Sequence, residues 1–407
     1  NNREAFRKKP VRYYAYVEPE PEAGSGLVEA LALKACAIVT DEFPCFFIPR
    51  MLEKTAPRLP TLLEAVDSNG LLPLRAAQTV FPTAYSFRRF LQRELIPHLE
   101  DLPEPDPFAG VKIPRLPDLD ESITSRWPEA SDAVLGAGAD VLSAFPIDHA
   151  VGTAPFSGGS SAAHDQLQMF LDDRLHRYHE DRNEPELEIS SGLSPWLHFG
   201  HISASDVFAQ LAMRENWTPE KIAETAKGAR QGWWGMSEPA ESFLDELITW
   251  RELGYNFCSQ RSDYDQFESL PDWARTTLGK HAGDERPYLY SLEDFETAQT
   301  HDELWNAAQT QLVSEGRMHN YLRMLWGKKI LHWTESPQDA VRIMIHLNNK
   351  YAVDGRNPNS YSGIFWVLGR YDRAWGPERP IFGKIRYMTS QNTARKFKVK
   401  DYIRKYS

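Results

Sequence analysis

Over the first hundred residues, apolar positions fall in short runs that alternate between the lengths of strands and helices. Residues 11–17, 35–40 and 62–67 are rich in strand-forming or apolar side chains, and each run has the length of a strand. Helical stretches at 27–34 and 47–54 separate these runs. Strands that alternate with helices predict a parallel sheet with helices on its faces, so this part of the chain is predicted to be an α/β domain.

After this region the pattern changes twice. Five prolines between Pro103 and Pro117 exclude a helix and predict an extended connection, which a Gly/Ser-rich stretch closes at 152–161. From Ala162 onward the apolar spacing is helical nearly throughout. The sequence therefore predicts an α/β domain, a Pro/Gly-rich linker and an all-helical domain, with the respective bounds 1–100, 101–161 and 162–407.

Composition narrows the class of protein. No run of about 18 or more apolar residues occurs, so we expect no membrane span, and residues 1–10 lack the apolar stretch of a signal peptide. The three cysteines are odd in number and scattered, which predicts a cytoplasmic protein without a disulfide framework or a zinc site. A net charge of −11 argues against general nucleic-acid binding, so any face that binds nucleic acid must be local.

Three tryptophans stand close together in the sequence at 305, 326 and 333. Trp326 and Trp333 are seven residues apart, which places them on one helix face and about 10 Å apart along its axis. Gly316 can end the helical segment that carries Trp305. Indole rings can pass single electrons, so the three form a candidate electron path. The alternative is that all three are core residues, because aromatic side chains dominate protein cores.

Two further patterns suggest binding sites. Ser190 to Pro195 predict the start of a helix, with Ser194 as its N-cap, and free backbone N–H groups at such a start suit a phosphate. An ordinary capped helix is the alternative. Basic residues also crowd the C-terminus, where a solvent-exposed charged face is the usual explanation. These are Arg395, Lys396, Lys398, Lys400, Arg404 and Lys405.

Six ordered segments of the helical region stand out as motifs: 193–203, 246–252, 316–324, 347–349, 354–359 and 383–388. The segments 193–203 and 316–324 resemble the two flavin segments of the photolyase/cryptochrome family. The other four resemble, in detail, its class II cyclobutane pyrimidine dimer photolyases. The resemblance runs from about residue 165 to the C-terminus and is specific, because several motifs occur in order with natural spacing. Compared with the family, the first strands of the antenna domain are missing, so the α/β domain is expected to be incomplete.

The resemblance implies an FAD site in the helical domain. The expected contacts are Tyr178, Ser190, Ser191, Gly192, Leu193, Ser194, Asn320, Arg323, Asp354, Gly355 and Arg356. Arg323 and Asp354 are expected to form a buried ion pair beside the isoalloxazine, and Asn348 to lie near flavin N5. Asn357 departs from the family, where aspartate is usual, which puts the detailed hydrogen-bond map in doubt.

The resemblance also implies a pocket for the lesion. Trp250 and Trp366 are expected to clasp the dimer, Glu246 to form a hydrogen bond with it, and Met324 to contact it. Glu246 and Trp250 are four residues apart, so a helix brings them to one face. Arg182, Arg373 and Arg386 match arginines of the family that contact DNA.

The implied function is light-driven repair of pyrimidine dimers in ultraviolet-damaged DNA by a monomer with fully reduced FAD. The tryptophans would reduce the flavin, in the order Trp326, Trp305, Trp333 from flavin to surface. The alternatives are a cryptochrome-like photoreceptor, for which a long signalling tail is absent here, a (6-4) photolyase, for which His319 and His332 are the nearest candidate acids, and a helical DNA-binding domain without flavin. The presence and identity of an antenna chromophore stay open.

Overall fold

Two strands and a long series of helices make up the chain. The computed structural model describes residues 2–100, 102–104, 106–114 and 116–407, so positions 101, 105 and 115 of the expected linker lie outside the described residues. Up to residue 152 the helices are α1 (Asn2–Phe6), α2 (Leu27–Ala32), α3 (Ile48–Thr55), α4 (Ala84–Glu94), α5 (Ile96–Leu99), α6 (Glu121–Thr124), α7 (Asp132–Leu135) and α8 (Ala139–Leu142). The strands are β1 (Ala37–Asp41) and β2 (Leu62–Val66).

The rest of the chain is helical, as the apolar spacing predicts. Its helices are α9 (Ser160–Met169), α10 (Tyr178–Asp181), α11 (Ser194–His198), α12 (Ala204–Arg214), α13 (Glu238–Leu244), α14 (Arg251–Gln260), α15 (Asp272–Lys280), α16 (Leu292–Glu296), α17 (Glu303–Glu315), α18 (Asn320–Trp333), α19 (Pro337–Tyr351), α20 (Pro358–Val367), α21 (Ser390–Lys396) and α22 (Lys400–Lys405). Two segments are π-helical, Phe170–Arg174 and Asp245–Trp250. Single 3-10 turns occur at Ala56–Arg58, Leu74–Ala76, Leu175–Arg177, Pro219–Lys221 and Phe267–Ser269.

The sheet is much smaller than an α/β domain requires. β1 and β2 pair in parallel, with Ala37 opposite Leu62, which agrees with the predicted direction. The strand expected at 11–17 is wrong, because this segment forms no ladder with another strand among the described residues. Val39 and Leu62 remain 64% and 63% exposed, so these two strands leave apolar surface uncovered. The α/β domain expected for residues 1–100 is therefore not confirmed.

The described chain divides into two compact units. One comprises the described residues of Asn1–Phe43, Phe47–Ser68 and Pro103–Gly152, and the other those of Pro44–Phe46, Asn69–Leu102 and Thr153–Ser407. Helix α4 thus belongs with the large helical unit, and every site described below lies within that unit.

Large aromatic side chains form the core of the helical unit. Helix α14 packs along α20, and α18 packs against α17, α19 and α20. Local sequence fixes the ends of these helices: the Asp302 carboxylate caps α17, and Gly316 ends it in a left-handed conformation at φ 67°, as predicted. None of the described helices combines the length and apolarity that crossing a membrane requires.

Candidate functional site

Two adjoining cavities lie in the helical unit. The larger has a volume of about 720 Å³ and the smaller about 460 Å³. They have part of their walls in common, and the shared residues are Arg182, Glu246, Arg251, Asn320, Asn359 and Gly363. Two ligands bound in these cavities would therefore lie on either side of one thin wall.

The larger cavity brings together most of the residues expected to bind the lesion. Its lining includes Arg182, Glu246, Trp250, Met324, Trp366 and Arg386. The rings of Trp250 and Trp366 have centroids 5.3 Å apart with planes inclined at 40°, so they present two aromatic surfaces from different helices. Tyr371, which the sequence did not single out, also lines this cavity, and its ring lies 6.4 Å from Trp250. The feature that marks Tyr371 is its left-handed backbone conformation, at φ 64°, which cannot be recognised from the sequence.

Glu246 and Arg182 form an ion pair in the wall between the cavities. The Arg182 Nη1 donates to Glu246 Oε1 at 2.5 Å, and the guanidinium carbon lies 5.4 Å from the centre of the Tyr178 ring. Burial raises the pKa of Glu246, and the charge of Arg182 counteracts that rise. The segment that carries Glu246 and Trp250 is π-helical, and π-helical turns occur frequently at functional sites. The carboxyl group is thus held in a position where its proton affinity exceeds that of an ordinary glutamate.

Arg373 lies outside the lining of either cavity. Its guanidinium is 4.7 Å from the ring of Trp375, and that of Arg386 is 5.3 Å from the same ring. The two arginines therefore flank one tryptophan, and only Arg386 reaches the cavity wall.

The smaller cavity gathers the residues expected around the cofactor. Tyr178, Ser190 to Ser194, Asn320, Arg323 and Asp354 all line it. Helix α11 begins at Ser194, so Leu193 is at the N-cap position and the predicted Ser194 cap is wrong by one residue. The Ser194 hydroxyl instead donates to Asp354 Oδ2. Gly192 has φ 69°, where a side chain would be strained and would crowd Gln166.

The expected ion pair between Arg323 and Asp354 is not formed among the described residues. Asp354 accepts from Ser194, while its Oδ1 is buried without a hydrogen-bond partner. Asn348 is 4% exposed, and its Nδ2 is also buried without a partner. Buried polar atoms without partners are costly, and Asp354 lines the smaller cavity, so its Oδ1 suits a polar ligand there that supplies the missing bond. This arrangement fits the donor and acceptor groups of a flavin nucleotide.

Asn348, Gly355 and Arg356 do not line either cavity. A Cβ at Gly355 would come within 2.7 Å of the Asn348 carbonyl oxygen, so this glycine permits a close backbone approach. Arg356 has φ 60°, and its backbone N–H donates to Asn349 Oδ1 at 2.9 Å. Asn357 does line the smaller cavity, and its Nδ2 lies 3.0 Å from His198 Nδ1.

Hydrogen bonds and ring packing link the three tryptophans of α17 and α18 in the order Trp326, Trp305, Trp333. Trp326 Nε1 donates to Gln309 Oε1 at 2.9 Å, and Trp305 Nε1 donates to the carbonyl oxygen of Trp326 at 3.0 Å. The rings of Trp305 and Trp333 have centroids 5.9 Å apart. Trp333 was expected at the surface, but it is only 1% exposed. It packs instead against Tyr290, at 5.6 Å between ring centroids.

The basic C-terminal segment makes contacts within the chain. Tyr402 Oη donates to Gln311 Oε1 at 2.7 Å, and Lys405 Nζ lies 3.5 Å from Glu315 Oε1. The backbone N–H of Asp401 donates to Glu186 Oε1 at 2.7 Å. Helix α22 is thereby attached beside the smaller cavity, which its residues also line. In the described chain, His, Cys, Asp and Glu nowhere cluster in threes that could bind a metal ion.

Comparison with solved structures agrees with the fold. A class III photolyase from Agrobacterium tumefaciens superposes with a TM-score of 0.64 at 18% identity, covering 93% of this chain and 70% of that one. A cryptochrome from Synechocystis gives a TM-score of 0.63 at 16% identity, covering 99% and 74%. At such identities the likeness shows the photolyase/cryptochrome fold alone.

Comparison with curated sequences identifies the family, although no family model matches the chain. A deoxyribodipyrimidine photo-lyase of Potorous tridactylus is 42% identical over 250 residues, which is 61% of this chain and only 43% of that protein. Those of Methanothermobacter thermautotrophicus and Arabidopsis thaliana are 36% and 35% identical over 91% of this chain. These two alignments cover 74% and 70% of the relatives' own length. Because both relatives are matched over most of their length, this chain belongs to the deoxyribodipyrimidine photo-lyase family.

Proposed function

We propose that this chain splits cyclobutane pyrimidine dimers in DNA under light, with FAD in the smaller cavity and the dimer in the larger one. The observation that carries the proposal is the shared wall of the two cavities, which contains Glu246 and Arg182. An electron donor and its acceptor must lie close together, and the two cavities meet this requirement. When bound, fully reduced FAD supplies one electron to the dimer under near-ultraviolet or blue light and recovers it after the ring has opened.

The residues of the larger cavity would bind and orient the dimer. A dimer turned out of the duplex exposes apolar faces and carbonyl groups, and enzymes that act on bases bind them between aromatic side chains. Trp250 and Trp366 offer such surfaces at a spacing of 5.3 Å. The carboxylate of Glu246 can accept a hydrogen bond from an N–H group of the dimer. Arg182 holds the carboxyl group in place.

The electrostatics of two histidines support dimer repair over (6-4) repair, which needs a histidine as an acid. Burial lowers the pKa of His319 to about 4, and burial together with Lys329 lowers that of His332 to about 4. Both rings are therefore neutral near neutral pH, so neither carries the extra proton that an acid catalyst must donate. His319 lines the smaller cavity, and neither ring lines the larger one.

Finer assignments belong to the same proposal. We assign the chain to class II, with Tyr178, Ser190 to Ser194, Asn320, Arg323 and Asp354 holding FAD, and Arg386 and Arg373 binding phosphates of the damaged strand. The region of β1 and β2 would be part of an antenna-type α/β domain. The partner is ultraviolet-damaged DNA, and the chain would act on it as a monomer.

The test is repair of an oligonucleotide with a single cyclobutane dimer, in blue light and in darkness, by the recombinant chain with its flavin reduced. We expect intact pyrimidines to return in light only, with (6-4) lesions left unrepaired. Protein without flavin absorption would contradict the cofactor assignment. A flavin-containing chain that repairs neither lesion would instead support the photoreceptor alternative.

A further inference from the structure

One wall of the larger cavity is a loop that the sequence analysis did not assign. Arg230 and Gln231 line the cavity together with Glu246, and both are exposed. The loop lies between the 3-10 turn at Pro219–Lys221 and helix α13. It carries Lys227 three residues before Arg230, so two cations occur within four positions.

Buried polar side chains fix this loop on both sides. The backbone N–H of Gly228 donates to Gln92 Oε1 at 2.7 Å, and Gln92 Nε2 donates to the carbonyl oxygen of Ala229 at 2.9 Å. Gln92 is only 3% exposed, so water competes little for these bonds. Further along, Glu241, 2% exposed, accepts hydrogen bonds from the backbone of Gly232 and Met236. The loop is thus preorganised, and ordering it costs little entropy when a ligand binds.

Helix α4 is the support that positions the loop. Gly228 has φ 72°, and a Cβ there would come within 3.1 Å of the Cβ of Arg89, so the loop backbone lies directly against the helix. Arg88 on the same helix forms a buried bidentate pair with Asp245, at 2.7 and 3.0 Å, next to Glu246 in sequence. One helix therefore supports both the floor of the cavity, through Asp245, and its rim, through Gln92.

The exposed side of this assembly is basic. Arg89 and Arg93 lie one turn apart on α4 beside the loop that carries Lys227 and Arg230, and all four side chains are exposed. Among the described residues, none of the four forms an ion pair or a side-chain hydrogen bond, although the charge of Arg230 acts to lower the pKa of Glu246. In a chain with a net charge of −11, four cations on one helix and the loop against it, of which Arg230 lines the larger cavity, form a distinct local field.

We infer that these four residues, the α4 ridge, bind the phosphate backbone of the DNA that flanks the dimer, in addition to Arg373 and Arg386. The inference rests on the proposed function, because it takes the larger cavity as the dimer site. Phosphate contacts position a nucleic acid without reading its sequence, which suits an enzyme that must bind lesions in any context. A preorganised loop at the cavity rim would hold the backbone where the dimer leaves the duplex.

The test compares Arg230→Gln and Arg89→Gln with the parent in binding to DNA over a range of salt concentrations. Each lost phosphate contact reduces the steepness of log K against log salt by about 0.9. Between about 50 and 200 mM salt, the affinity of each variant should therefore fall by a factor about three times smaller than the affinity of the parent. Affinity at low salt should drop for dimer-containing and undamaged DNA by the same factor. Arg230→Lys should restore the slope, because a phosphate needs only the charge. The flavin content of both variants should match that of the parent, which would show that the helical unit is intact.

Arg342→Gln is the matched control. Arg342 is an exposed arginine on α19 that lines neither cavity, and its loss changes the net charge equally. If the ridge variants bind DNA with the same affinity and salt dependence as Arg342→Gln, the proposal that the α4 ridge binds DNA is wrong. A changed pH profile of repair with an unchanged salt slope would also overturn it, because Arg230 would then act only through Glu246. A parent chain that neither prefers nor repairs dimer-containing DNA would refute the proposed function instead.

Discussion

Replacing Trp326 with phenylalanine separates the reduction of the flavin from the repair of DNA. Phenylalanine is much harder to oxidise than tryptophan, so an electron cannot pass from Trp305 through position 326. Light-driven reduction of the oxidised flavin should therefore stop. Repair should remain near the parental rate when the flavin is first reduced chemically, because Trp326 lines neither cavity and the electron for the dimer does not pass through it.

The structure indicates how much stability this substitution removes. Trp326 is 3% exposed and donates its indole N–H to Gln309, which is fully buried. The Nε2 of Gln309 already lacks a partner, so phenylalanine leaves the whole amide unpaired, at about 1–3 kcal/mol. A small cavity adds to this cost. Because domains are stable by about 5–15 kcal/mol, the variant should still fold, which denaturant unfolding can verify.

The assay is flavin bleaching under light with an external reductant, followed by dimer repair with chemically reduced protein. Trp234→Phe is the control, since Trp234 is 6% exposed and packs against Trp217 and Trp233, away from the three tryptophans. It should bleach like the parent. Bleaching of Trp326→Phe at the parental rate would refute the electron path, and the three tryptophans would then be core residues.

Two further predictions concern the larger cavity and its surroundings. Trp366→Ala should leave flavin bleaching intact but weaken dimer binding by about 1–3 kcal/mol through lost stacking, and unchanged affinity in a binding titration would remove Trp366 from the site. Burial lowers the pKa of Lys328 to about 7 from 10.5, so between these values the unfolded chain binds more protons than the folded one. The contribution of this residue to the free energy of unfolding should then rise by about 1.4 kcal/mol per pH unit across that window. Lys328→Met should lose this rise in urea unfolding at several pH values, and an identical pH dependence would contradict the assignment.

Local pattern predicted the helical unit but not the sheet. The turn between α17 and α18 follows from Gly316, because a left-handed residue is a local requirement that glycine meets. The strand expected at 11–17 failed, since strand propensity cannot supply a partner strand. The two strands that do pair, β1 and β2, lie in separate apolar runs of suitable length.

The candidate site, like the fold, was only partly predictable from the sequence. Trp250 and Trp366, which the resemblance assigned to one pocket, line the same cavity, and their contact with a dimer stays a prediction. The pairing of Arg323 with Asp354 was not found, since Asp354 is bonded to Ser194, 160 positions earlier. The support of Arg230 by Gln92 was also out of reach, because it joins segments 136 positions apart and leaves no periodic signal in the sequence.

The hydrogen bonds of the indole nitrogens determine where a proton can go when these rings lose an electron. An oxidised tryptophan becomes acidic at Nε1, but it releases its proton only to a base. Trp326 Nε1 faces the amide oxygen of Gln309, and Trp305 Nε1 faces a peptide carbonyl oxygen. Amide oxygens are very weak bases, so neither partner accepts the proton. Both rings would therefore stay protonated and positively charged when oxidised, and a charge that is not neutralised remains free to move to the next ring.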